Sequence, residues 1–133
     1  MEEQDPLEQI YVRPEQVVGE QRALLAKLIF PFAVVNPESG EVHYKPTSDD
    51  LTSKQKILVF LLCRLALSTR PNTAFTAAVS PIEIEKATML PGGTLRPKLM
   101  ELVKSRVVIK SGDGYYIHVA SLHRAKELLP VEE

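Results

Sequence analysis

The chain holds a single cysteine, Cys63, and no internal repeat or long low-complexity segment. One cysteine excludes an internal disulfide framework and suits a reducing compartment. No apolar run reaches the roughly 18 residues that a membrane-spanning helix needs, so no membrane role is expected. The start, Met1-Glu2-Glu3-Gln4-Asp5, is acidic and lacks the basic head and apolar stretch of a secretory signal. A cytoplasmic protein is the expectation. Metal-ligand spacing is missing too: His43, His118 and His123 stand at no regular interval from one another or from Cys63. Gly92-Gly93 is too short for a phosphate loop and is not followed by the Lys-Ser/Thr that completes one. Asp49-Asp50 reads as a linker pair beside a helix start, not a catalytic dyad. No enzyme, cofactor or metal site is expected.

What is present is a chain of 133 residues, room for one domain with an extension, and a 44% apolar content that can build a core. The formal charge of −1 hides an asymmetry. Residues 1–50 carry ten acidic and four basic side chains, a balance of −6. Residues 51–129 carry twelve basic and five acidic ones, a balance of +7. Such a split points to a polyanion as partner of the basic half, although a solvated basic face needs no partner.

The acidic part reads as an extension. Pro14 can open a helix, where its missing N–H is no loss. Val17, Val18, Gln21, Leu24, Leu25, Leu28 and Ile29 recur at helical spacing, which predicts a helix over about 14–29, weakened by Gly19. Phe30–Val35 and Val42–Lys45 flank the turn-forming Asn36-Pro37-Glu38-Ser39-Gly40, a hairpin pattern over about 30–45. Lys45 to Asp50 reads as a linker.

The basic part is sharply punctuated. Thr52-Ser53-Lys54-Gln55 matches a capping box and opens a helix to about Ser68. That helix is apolar nearly all round, so every side must be covered, either by the N-terminal segment or by a second subunit. A homodimer is therefore expected. Ser80-Pro81-Ile82-Glu83 supplies a second box for a short helix to about Thr88, with Ile82, Ile84 and Ala87 offered to the core. Met89-Leu90-Pro91-Gly92-Gly93 ends it, and one of the two glycines is expected at positive φ. Thr94 can cap a third helix whose Leu95, Leu99, Leu102 and Val103 form one stripe, with Pro97 in the first turn. Val107–Lys110 and Tyr115–Val119 then flank Ser111-Gly112-Asp113-Gly114 as strand, tight turn and strand. Tyr115 and Tyr116 alternate, so one should face the core. Ser121 can cap a last helix with Leu122, Ala125, Leu128 and Leu129 inward.

This order, helix, helix, short turn, helix and β-hairpin, resembles the winged helix-turn-helix superfamily. The resemblance rests on Ser80-Pro81-Ile82-Glu83-Ile84, Pro91-Gly92-Gly93-Thr94-Leu95, Leu99-Met100-Glu101-Leu102 and the glycine-bearing hairpin, and covers about 80 residues. It implies an α+β, mainly α fold: a winged helix domain over 51–129 behind an acidic extension over 1–50. It further implies a DNA-binding transcriptional regulator that places its third helix in the major groove and its wing on the backbone. Thr94, Arg96, Lys98, Lys104 and Lys110 are the residues expected on duplex DNA. The outer face of that helix (Pro97, Met100, Glu101 and Lys104) lacks the Asn, Gln or Arg that pair bidentately with bases. An interaction module of a nucleic-acid-handling assembly, gripping protein through the third helix or the acidic segment, is the alternative.

Overall fold

The computed structural model describes Leu7 and residues 19–130. Along the chain come α1 (Glu20–Ile29), β1 (Ala33–Val35), β2 (Val42–Tyr44), a 3-10 turn (Pro46–Asp50), α2 (Ser53–Ser68) and α3 (Pro81–Thr88). There follow α4 (Gly92–Lys104), β3 (Ile109–Ser111), β4 (Gly114–Tyr116), a 3-10 turn (Val119–Ser121) and α5 (Leu122–Leu128). The described residues thus form an α+β, mainly helical structure with two small antiparallel hairpins.

The organising element is α2. Its capping box closes in both directions: Gln55 N–H donates to Thr52 Oγ1 (3.2 Å) and Thr52 N–H donates to Gln55 Oε1 (2.8 Å). Every side chain from Ile57 to Cys63 is buried, as are Leu65 and Leu67. Helices α1, α3 and α4 and strands β1 and β4 surround it. The cover that pointed to a second subunit is therefore supplied within one chain. Even Phe60 and Leu67, toward the middle and end of the helix, are only 4% and 1% exposed. A single apolar cluster joins Leu25, Leu28, Ile29 and Phe32 of the acidic part to Leu95, Leu99, Ile117 and Leu122 of the basic part. Each such leucine or isoleucine, fully buried, contributes about 1.5–3 kcal/mol.

Four local expectations need correction. The helix expected over 14–29 begins at Glu20, because Gly19 has φ 55° and ψ −124°, a pairing essentially confined to glycine; positions 14–18 lie outside the described residues. The stretch expected as a linker is folded: Pro46–Asp50 is a 3-10 turn in which the Ser48 hydroxyl donates to Lys45 C=O (2.7 Å) and Thr47 bonds Pro31 C=O. Ser80 accepts from Glu83 N–H (3.3 Å), but the Glu83 carboxylate turns to Arg64 (3.0 Å), leaving half a capping box. Ile82, offered to the core, is 58% exposed.

The corner between α3 and α4 also differs from expectation. Neither Gly92 nor Gly93 has positive φ; the reversal is made by Met89, at φ 59° and ψ 25°. The chain therefore turns three residues earlier, and both glycines are already helical. Pro91, not Thr94, is the N-cap of α4, with no side-chain bond. Thr94 lies in the first turn, its N–H donating to Pro91 C=O (2.9 Å). Ser121 does stand at the N-cap of α5, but without a side-chain bond to the helix; its hydroxyl donates instead to Arg106 C=O (3.4 Å).

The hairpin after α4 is shorter than expected, pairing Ile109 with Tyr116, Lys110 with Tyr115 and Ser111 with Gly114. Gly112, at φ 60°, takes the first central position of the two-residue turn, where positive φ is required. The backbone of Val79, between α2 and α3, exchanges two hydrogen bonds with Tyr115 (2.8 and 3.0 Å) and ties the hairpin to the helices. Tyr115 is buried and Tyr116 half-buried, following the pleat.

Candidate nucleic-acid interface

The Leu95, Leu99 and Leu102 stripe of α4 is buried, so helical periodicity turns Arg96, Pro97, Met100 and Lys104 outward, and all four are exposed. The five residues expected on DNA do not form one cluster. Arg96 and Lys110 meet: with Ser80, Pro81, Ile82, Asp113 and Tyr115 they line a groove of about 400 Å³. Its walls are the starts of α3 and α4 and the β3–β4 hairpin. Lys110 is aimed there by its partner across the ladder, since its ammonium lies 5.9 Å from the Tyr115 ring centroid.

Lys98 points elsewhere. Its ammonium is 3.5 Å from the Glu101 carboxylate, which also receives Lys54 at 3.9 Å. This pair of lysines around one carboxylate carries a reduced positive charge. Lys104 is exposed in the last turn of α4 and Thr94 is half-buried in the first.

The N-terminus of α4 is also partly answered. A Cβ built on Gly92 would overlap the Glu85 carboxylate, so that acid lies directly over the first turn. A carboxylate there complements the macrodipole and opposes a phosphate at the same place. The positive face is therefore made by side chains more than by the helix end. Among the described residues neither Arg96 nor Lys110 has an ion-pair partner.

Two cations that the sequence reading did not select join this face. Arg106 and Arg124 line a second groove with Lys110, which borders both. Arg106 belongs to the turn after α4 and Arg124 to α5, so no local spacing connects them. A run of basic residues around Lys104, Arg106 and Lys110 at a helix-to-hairpin junction was the one available signal. Arg64, by contrast, is structural: its side chain is 13% exposed, donates to Thr76 C=O (3.2 Å) and pairs with Glu83.

The remaining candidates fall into structural places. The Cys63 thiol is fully buried, and burial pushes its pKa from 9.0 up to about 12. Tyr44 is raised in the same direction by burial, with Cys63 adding to it, and its hydroxyl donates to Lys56 C=O (3.1 Å). His118 Nδ1 accepts from Ala120 N–H (3.0 Å) at the turn before α5. His43 is exposed beside Glu41. No helix of the described residues is long and apolar enough to cross a membrane. Compared with models of protein families, with curated proteins and with solved structures, the chain matches none of them.

Proposed function

We propose that residues 51–129 form a winged helix-turn-helix unit that binds duplex DNA in transcriptional regulation, with α4 as the recognition helix and β3–β4 as the wing. The observation that carries this reading is the meeting of Arg96 and Lys110, cations from separate elements, in one groove beside the outward face of α4. A helix fits the roughly 12 Å width of the major groove, and cations beside it meet the phosphates that flank that groove. Lys104 extends the positive face along α4, and Arg106 and Arg124 extend it past the wing root. Binding is dominated by phosphate contacts, because Pro97 and Met100 offer no hydrogen bonds to base edges.

Exposed Ile82 and Met100 favour a second reading, a protein-docking module using the same face. One pair of variants separates the readings. Arg96→Ala weakens duplex binding and Met100→Ala leaves it nearly unchanged if DNA is the partner. The reverse, a protein partner lost with Met100→Ala while Arg96→Ala changes nothing, selects the docking module.

A further inference from the structure

The second groove has a chemistry of its own. It lies between the end of α4, the start of β3 and the start of α5, on the other side of Lys110 from the groove beside α4. Its volume is about 550 Å³, within the range of small-molecule sites. Val103 and Ile109 give it an apolar surface, Ser121 lies at one edge, and Arg106, Lys110 and Arg124 supply three positive charges. No acidic residue lines it, and none of the three cations has an ion-pair partner among the described residues.

The backbone supplies an independent observation. Helix α4 ends in a Schellman turn: Val107 N–H donates to Leu102 C=O (3.1 Å) and Arg106 N–H to Val103 C=O (3.0 Å). The residue in the left-handed position of that turn is usually glycine. Here it is Arg106, at φ 66°. Keeping a long cationic side chain where glycine is the easier choice strains the backbone, and such strain collects at functional positions. What Arg106 adds over glycine is a guanidinium at the groove.

We infer that this groove is a binding site for a small amphipathic anion, a carboxylate or phosphate on an apolar body, with Arg106 and Arg124 holding the anion and Val103 and Ile109 the body. Three cations without a carboxylate select negative charge, and the apolar surface adds affinity that a bare ion cannot use. The inference does not rest on the duplex-DNA reading.

The test is a ¹⁵N–¹H correlation titration of the full chain with octanoate, and in parallel with octan-1-ol and inorganic phosphate. Octanoate shifts the amides of 106–110 and 120–124 saturably, and octanol and phosphate each need at least about tenfold higher concentration. Across hexanoate, octanoate and decanoate the affinity rises by about twofold to fourfold per methylene. Arg106→Gly and Arg124→Gln each weaken octanoate by about tenfold. Arg106→Gly also melts no lower than the parent chain, so its loss of binding is not a loss of fold. Equal potency of octanol makes the groove a plain apolar patch, and equal potency of phosphate makes it a plain anion site. Either result overturns the inference, as does octanoate binding that both arginine variants leave intact.

Discussion

Met89 offers a direct check on how the corner between α3 and α4 is built. Its backbone is left-handed, and its side chain is 88% exposed, so replacing it removes little packing. For an L-residue the left-handed conformation costs roughly 1–2 kcal/mol. Glycine escapes that cost but adds about 0.4–1 kcal/mol of chain entropy to the unfolded state. The N–H of residue 89 still donates to Glu85 C=O (2.8 Å), because the backbone path is unchanged. Met89→Gly is therefore expected to stabilise the protein by about 0.5–1 kcal/mol, a rise in Tm of about 2–5 °C. Met89→Ala, which keeps the strain and loses only an exposed side chain, should stay within about 0.5 kcal/mol of the parent. Urea unfolding followed by far-UV circular dichroism measures both. A glycine variant less stable than the parent would refute the argument. An alanine variant more than about 1 kcal/mol less stable would show that the methionine packs, contrary to its exposure.

Three further outcomes are expected. Phe60→Asp places a charge inside the single-chain core, so it should unfold the protein rather than dissociate a dimer; sedimentation showing a folded monomer would contradict this. The Cys63 thiol should resist iodoacetamide at pH 8 in the native protein and react once urea unfolds it; rapid native labelling would contradict its burial. Its pKa is raised on folding, from 9.0 to about 12, so the folded state holds the proton that the unfolded state releases. The contribution is fully present below about pH 9 and declines as pH rises toward 12, by at most about 1.4 kcal/mol per pH unit. Cys63→Ala should flatten the decline in stability over that window, and an unchanged slope would show that the thiol is not its source.

Much of this fold was legible in local punctuation. Thr52 and Gln55 marked the start of α2 because both arms of a capping box lie within four residues. The turn at Gly112 was legible because only a few residues suit its first central position. The corner before α4 was not legible for the opposite reason: methionine carries no sign of left-handed backbone, whereas Gly92 and Gly93 beside it do. Glu83 matched a capping pattern, yet its carboxylate was taken by Arg64, nineteen positions away, a competition that local reading does not include. At the candidate interface, spacing identified the outward face of α4. It did not identify Arg106 and Arg124, which tertiary packing alone brings beside Lys110.

The central claim is that Arg96 and Lys110 meet the phosphates of duplex DNA. Its most direct measurement is the anisotropy of a labelled random duplex titrated with the protein across a series of salt concentrations. The logarithm of affinity is expected to fall linearly with the logarithm of salt, and Arg96→Ala and Lys110→Ala each to reduce the magnitude of that slope by about one unit. Lys27→Ala, on the solvent face of α1, serves as the charge control and should leave the slope nearly unchanged. No binding at low salt, or slopes that Arg96→Ala and Lys110→Ala leave as steep as the parent's, would contradict it.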